Sequence, residues 1–292
     1  MKILLLGANG QVGWELQRTL SVLGELVTAE RTPGADIALD NSDLTRVQAA
    51  LDSVAPDMIV NASAYTAVDK AEEETELATR LNAGLPGLIG TWAAQHGARV
   101  LHYSTDYVFD GAKDAPYVET DPTGPINVYG RTKLAGDEAL LASGCAALIL
   151  RVSWVYGMRG QNFLLTMRRL MDERDRLTIV DDQIGAPTWC RTIAQVTSNV
   201  LSKWPADRDR QMALRGVYHL APSGSTSWFG FATAIRDRLG LECDLQPIPT
   251  SAYPTPAARP LNSRMDAARL EQTFGLAMPS WDADLQRCLA DP

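Results

Sequence analysis

The sequence predicts an α/β fold, a doubly wound parallel sheet with a smaller C-terminal α/β lobe. Three observations predict it. The first half alternates short, continuously apolar runs with segments of helical periodicity, and a parallel strand covered on both faces reads as such a run. A glycine-spaced turn, Gly7-Ala-Asn-Gly10-Gln-Val-Gly13, falls between the first run and the first helix. Beyond about residue 153 the regular alternation stops, so 1–153 reads as a nucleotide-binding unit and 154–292 mainly as a covering lobe.

Each element follows from its residues. Residues 3–6 form a buried strand and 13–23 an amphipathic helix; 25–29 is a second strand, with a short strand-like run at 37–39. Asp43 stands near the start of a helix over 43–53, and 58–61 is the next strand. Two helices, 72–82 and 85–96, precede a strand at 99–103. A loop over 110–127 leads into a helix at 128–142 and a strand at 147–152. Right-handed crossovers turn this series into a doubly wound sheet, with ligand at the carboxyl ends of its strands. In the second half a helix at 162–174 and a strand-like 177–180 precede a loop with Gly185 and Pro187. A helix near 193–201 and a strand near 217–220 are candidates to return to the main sheet. Five of the sixteen prolines fall in 247–260, which predicts an ordered irregular loop.

Composition narrows the function. The 292 residues are 46% hydrophobic and 21% charged, with a net charge of −8 and scattered basic residues. That balance argues against nucleic acid or an anionic membrane as partner and leaves room for a small anionic ligand in a locally basic pocket. No apolar run approaches the roughly 18 residues of a membrane helix, and the opening run is too short for a signal sequence. Cys145, Cys190, Cys243 and Cys288 form no Cys-x-x-Cys pair, and His96, His102 and His219 show no ligand spacing. The expectation is a cytoplasmic protein with reduced thiols and no metal site.

The glycine turn has the context its chemistry needs. Gly7 permits the tight turn, Gly10 lets backbone approach a pyrophosphate, and Gly13 allows close helix packing, with Gln11 and Val12 between them. At the end of the second strand, Glu30 suits a free ribose hydroxyl and NAD, whereas Arg31 suits the 2′-phosphate of NADP. Asp40, with Asn41 beside it, reads equally as an adenine neighbour or as a solvated loop carboxylate. Small residues Ala62, Ser63 and Ala64, followed by Tyr65, close the strand at 58–61 where a cofactor would lie against backbone. The strand carrying Tyr103 ends in Ser104-Thr105-Asp106-Tyr107, where Thr105 can hydrogen-bond a substrate oxygen. Finally, Tyr129 and Lys133 stand four apart on one helix face. An exposed helix pair shows the same spacing. After a nucleotide-binding start, an ammonium that favours the phenolate would make Tyr129 a usable acid.

Together, Gly7-x-x-Gly10-x-x-Gly13, Ser104-Thr-Asp-Tyr-Val-Phe109 and Tyr129-x-x-x-Lys133 resemble the extended short-chain dehydrogenase/reductase superfamily, a Rossmann-fold group. More narrowly, the chain is similar to the dTDP-4-dehydrorhamnose reductase family. The segments that carry this likeness are Gly10-Gln-Val-Gly-Trp-Glu-Leu-Gln17, Thr66-Ala-Val-Asp-Lys-Ala-Glu72, Asn127-Val-Tyr-Gly130, Arg151-Val-Ser-Trp-Val-Tyr156, Asp182-Gln-Ile-Gly-Ala-Pro-Thr188 and Pro254-Thr-Pro256. The resemblance implies hydride transfer to the C4 ketone of a dTDP-linked sugar, with Tyr129 as proton donor, Lys133 beside it and Thr105 orienting the ketone oxygen. It implies NADPH as donor, and the Glu30–Arg31 pair leaves NADH open. Tyr103, Tyr129 and Lys133 would border the nicotinamide half; Asp106, Trp154, Asn162 and Arg259 would meet the sugar nucleotide.

Two departures sharpen this. Superfamily dehydratases follow the threonine with an Asp-Glu pair, and here Tyr107 follows Asp106, which disfavours elimination; a 4-epimerase uses the same Tyr and Lys. Some members dimerise through magnesium held by a first-helix glutamate and acidic residues after the Gly-Ala-Pro-Thr segment. Glu15 is present, but Trp189-Cys-Arg-Thr192 stands where the acids would be. The expectation is a monomer or weak homodimer without that metal. A rival from another class is a regulatory binding protein, since the regulatory subunit of methionine adenosyltransferase is similar to this family.

Overall fold

The computed structural model describes residues 1–32 and 34–290. Six strands of the first half are β1 (Lys2–Leu6), β2 (Glu25–Glu30), β3 (Ile37–Ala38), β4 (Met58–Asn61), β5 (Arg99–Thr105) and β6 (Ala146–Val152). Between them run α1 (Gln11–Leu20), α2 (Leu44–Val54), α3 (Thr75–Thr79), α4 (Leu85–His96) and α5 (Val128–Ala142). The second half adds β7 (Val155–Tyr156), α6 (Phe163–Glu173), β8 (Arg176–Val180), β9 (Ile184–Gly185), β10 (Thr188–Trp189), α7 (Cys190–Lys203), α8 (Arg208–Ala213) and β11 (Gly216–His219). It ends with β12 (Thr226–Ser227), α9 (Trp228–Leu239), β13 (Asp244–Ile248), α10 (Ala268–Phe274) and α11 (Trp281–Ala290).

The main sheet runs β11-β6-β5-β4-β1-β2-β3, and all its pairings are parallel. Strand order reverses between β1 and β4, so the crevice that such folds use for ligand opens there. Alternate side chains of each strand go to opposite faces. Ile3, Leu5, Val60, Leu101 and Leu150 meet α1 and α7 on one side; Leu4, Leu6, Ile59, Val100 and Ile149 meet α2, α4 and α5 on the other. Each such side chain, fully buried, contributes about 1.5–3 kcal/mol, so both helical layers are held firmly. β11 extends the sheet from the second half, with Gly216 opposite Leu148.

The remaining second-half elements have their own apolar core, built on Tyr156, Leu164, Met167, Trp189, Phe231, Ile235 and Leu285. Among the described residues β13 pairs only with β8, and Pro247 fits there because a two-stranded ribbon has a free edge for a residue with no N–H to donate.

One prediction needs correction. In place of a helix over 72–82, a 3₁₀ turn (Lys70–Glu72) precedes the short α3, and a π-type turn (Arg80–Gly84) joins α3 to α4. Asn82, fully buried, explains the irregularity. Its Oδ1 accepts from the Tyr65 backbone N–H at 2.9 Å, and its Nδ2 donates to Tyr65 O and Thr132 Oγ1, each at 3.1 Å. Helical regularity is given up so that this side chain can clamp the β4 exit loop to α5.

Candidate active site

At the switch point a cleft of about 630 Å³ opens, walled by the glycine turn, the β4 and β5 ends, the start of α5 and the second-half Trp154 and Trp228. Gly7 has φ +79°, and a Cβ there would lie 2.7 Å from Ser63 N, so the turn and the β4 exit need a residue without a side chain. Gly13 does not reach the cleft; a Cβ on it would meet the Gly7 carbonyl oxygen at 2.0 Å. Gly10 precedes α1 with no side-chain cap and lines the cleft with Gln11 and Val12, so the first turn of α1 borders the cleft with N–H groups that an anion can satisfy. Gln11, Val12, Ala62, Ser63 and Ala64 line the same wall.

Glu30, Arg31, Asp40 and Asn41 form the far end. Glu30 Oε1 accepts from the Arg31 backbone N–H at 2.8 Å, turning the carboxylate back onto its own chain while the Arg31 side chain stays exposed. Asp40 accepts from the Ser42 hydroxyl and N–H, and these bonds hold its carboxyl below the usual carboxylate range.

At the opposite end two glycines seat α5 closely, one against the turn that follows β5 and one against the π-type turn before α4. A Cβ at Gly130 would lie 2.1 Å from the Tyr107 carbonyl oxygen, and one at Gly136 would lie 1.9 Å from Asn82 O. Asn127 caps the helix through the Gly130 N–H at 2.8 Å. This close seat brings Tyr129 beside Thr105, whose hydroxyl hydrogen-bonds it, and sets it edge-on to Tyr107 with ring centroids 5.6 Å apart. Thr105 also caps the 3₁₀ turn Asp106–Val108 through the Tyr107 N–H at 3.1 Å and donates to Asp106 Oδ1 at 3.0 Å. Asp106 is buried and its Oδ2 has no partner; burial pushes its carboxyl up to about 6.

Lys133 is 1% exposed. Its ammonium donates to Tyr103 O at 2.6 Å and lies 3.2 Å from His102 Nε2; burial pushes it down to about 8, with Asp137 opposing. Burial, not a cation, dominates Tyr129, whose hydroxyl lies above the ordinary phenol value. The expectation of a Tyr129 pulled downward by its i+4 neighbour is therefore not met, because Lys133 reaches past it to the strand backbone.

Three further expectations change. Tyr65 does not line the cleft: its hydroxyl donates to Glu74 Oε2 at 2.7 Å. Asn162 caps α6 through the Leu165 N–H at 3.1 Å and ties Gln11 Oε1 to the Gly157 and Arg159 carbonyls, which uses its amide inside the protein. Arg259 pairs with Asp69 at 2.8 Å and lies outside the cleft lining. Trp154 does line it, stacked on Trp228 with centroids 3.5 Å apart. Sequence reasoning missed Trp228, Gln161 and Leu81, which arrive from segments with no motif; Tyr107 was visible only as the residue after Asp106. Among the described residues no cluster of three or more His, Cys, Asp or Glu could hold a metal, and no helix is long and apolar enough to cross a membrane.

A family model described as RmlD substrate binding domain matches residues 1–292. The chain belongs to this family. A dTDP-4-dehydrorhamnose reductase of Burkholderia thailandensis is 45% identical, covering 100% of this chain and 99% of the relative. The one from Escherichia coli is 44% identical, with 99% and 97% covered. A crystal structure of the Bacillus anthracis dTDP-4-dehydrorhamnose reductase with NADP superposes at TM-score 0.91, with 32% identity and 100% and 99% of the two chains covered.

Proposed function

We propose that this RmlD-family chain reduces the C4 ketone of dTDP-4-dehydro-β-L-rhamnose to dTDP-β-L-rhamnose with NADPH, the last step in making dTDP-L-rhamnose. The observation that carries the reading is the meeting of Thr105, Tyr129 and Lys133 at one end of a cleft whose other end is the glycine turn. The full-length likeness to reductases of that name supports the substrate.

The cleft fits a dinucleotide: Gly7 and Gly10 leave backbone bare, and the uncapped start of α1 offers N–H groups to a pyrophosphate. NADPH, when bound, supplies the hydride. Arg31, exposed at the far end, is placed for a 2′-phosphate, while Glu30 is turned away. Tyr129, protonated at neutral pH because burial holds its hydroxyl high, is the acid that delivers a proton to the oxygen becoming a hydroxyl. Thr105 hydrogen-bonds Tyr129, and its single hydroxyl proton, given to Asp106 in the free protein, turns to the ketone oxygen when the sugar binds. Lys133, its ammonium fixed on the Tyr103 carbonyl, keeps a positive charge at this end of the cleft. Trp154 and Trp228 wall the sugar side, so the second half acts as a substrate lobe on a nucleotide-binding unit of residues 1–153. Trp154, Asp106 and Tyr107 are the proposed sugar contacts.

Glu15 accepts from Arg18 and from Arg191 of α7, cations beside the carboxylate where a bridging magnesium would need acids; the reading remains a monomer or weak homodimer without that metal. The function is tested by following NADPH oxidation with dTDP-4-dehydro-β-L-rhamnose. Turnover by the wild type, with loss in Tyr129→Phe, supports the reductase; tight cofactor binding with no turnover contradicts it.

A further inference from the structure

At the start of α5 three segments meet, and one carboxylate ties two of them together. Asp69 stands directly before the 3₁₀ turn Lys70–Glu72. Its Oδ2 accepts from Arg259 Nη2 at 2.8 Å, and its Oδ1 accepts from the Ala257 N–H at 3.2 Å. Arg259 Nη1 donates to the Ala257 carbonyl at 3.0 Å, which closes a ring of hydrogen bonds at the end of the proline-rich segment.

That ring reaches the helix. Pro254, Pro256 and Pro260 fix φ along the segment, so anchoring residues 257 and 259 holds the carbonyl between them in place. Ala258 O accepts from Asn127 Nδ2 at 2.8 Å. Asn127, 1% exposed, is the residue whose Oδ1 caps α5 through the Gly130 N–H. From the turn that Asp69 opens, Glu72 Oε1 accepts from the Val128 N–H, also at 2.8 Å. Asn127 is thus held through the proline-rich segment and Val128 directly, both from residues 69–72. Tyr129 comes next in the chain, and its ring packs in one apolar cluster with Val128, Ala71 and Ala78.

The clamp also borders the chemistry. Asp69 and Arg259 both lie close enough to act on the hydroxyl of Tyr107, which shares the cleft wall with Tyr129. As a half-exposed ion pair the two side chains contribute little to stability, so their consequence falls on placement.

We propose that Asp69 is a positioning residue: clamped on Arg259, it holds the proline-rich segment against the cap of α5 and so sets Tyr129 beside Thr105. The kinetic consequence rests on the reductase reading, and the seating rests on the hydrogen bonds alone. Asp69 takes no part in proton transfer. A general acid must stand within hydrogen-bond reach of its oxygen, and a misplacement of about 1 Å can cost about 10²-fold.

Two measurements test this. Asp69→Asn keeps an oxygen for the Ala257 N–H and gives up the pairing with Arg259; Arg259→Gln gives it up from the other side. In each, the single-turnover rate of NADPH oxidation with dTDP-4-dehydro-β-L-rhamnose should fall about tenfold. KM for NADPH and for the sugar should stay within about twofold of wild type. The double variant should lose no more than either single one, because the two changes remove one interaction. A product of the two losses, or an unchanged rate with a lower Tm, overturns the proposal. A raised sugar KM in Arg259→Gln alone shows that the arginine meets the substrate, and overturns it too. Without any turnover, NMR of ring-labelled tyrosine reads the seating, with Tyr129→Phe assigning the signal. Asp69→Asn should move the Tyr129 resonance and leave that of Tyr218, in the core on the α7 side of the sheet; an unmoved Tyr129 resonance overturns the proposal. If the wild type binds NADPH but does not oxidise it with the sugar, the reductase reading falls, while the Tyr129 resonance still decides the seating.

Discussion

Gly185 lies flat against the indole of Trp154: a Cβ at position 185 would sit 2.5 Å from Trp154 Cε2. Trp154 itself holds a left-handed backbone, φ +47°, which strains a bulky residue. The stack on Trp228 and the bare face of Gly185 hold it there. Gly185→Ala should push the indole into the cleft. The expected outcome is a rise of about tenfold or more in KM for the sugar nucleotide, a stability loss of about 1–3 kcal/mol, and unchanged NADPH affinity. Steady-state kinetics with cofactor titration and thermal melts check all three.

Tyr129→Phe keeps the ring and its edge contact with Tyr107 and deletes the hydroxyl that bonds Thr105. General acid catalysis is worth roughly 10²–10⁴ in rate, so kcat should fall by that factor. NADPH binding, followed by fluorescence, should persist. Near-normal turnover would remove Tyr129 as the acid.

Asp106 makes a pH-dependent contribution of known sign. Its carboxyl titrates near 6 in the fold, raised by burial from 3.8. Between those values the folded protein binds a proton that the unfolded chain does not, so stability falls as pH rises from 4 to 6 and stays lowered above. Asp106→Asn removes this cost. Urea unfolding should find the variant more stable than wild type by about 1–3 kcal/mol at pH 8 and within about 0.5 kcal/mol at pH 4.

In the proposed reading, cofactor choice turns on Arg31. With Glu30 bonded to the neighbouring backbone N–H, the guanidinium is the charge free to meet a 2′-phosphate. Arg31→Ala should lower kcat/KM with NADPH by about tenfold or more and leave the NADH value within about twofold. Equal losses with both cofactors would contradict the assignment.

How much of this could be read from sequence differs by element. The parallel sheet was legible because its strands are continuously apolar, and the glycine turn because its spacing encodes a backbone requirement, seen again in the Gly7 φ and the Gly13–Gly7 contact. Tyr129, Lys133 and Thr105 were legible as positions, since helix and strand periodicities fix which residues share a face. Their electrostatics were not. Whether Lys133 acts on Tyr129 or on the Tyr103 carbonyl depends on helix seating, set by Gly130 and Gly136, and no local pattern reports that distance. Asn82 was hidden for a related reason: its partners, Tyr65 and Thr132, lie far off in sequence. Trp228 reaches the cleft only through packing of the second half.

The most direct test of the central claim follows one atom. With NADPH deuterated at the transferring nicotinamide position and dTDP-4-dehydro-β-L-rhamnose, the account predicts dTDP-β-L-rhamnose carrying one deuterium at C4, seen by NMR, and no product with Tyr129→Phe on the same timescale. No deuterium transfer by the wild type, or deuterium at another carbon, would contradict it.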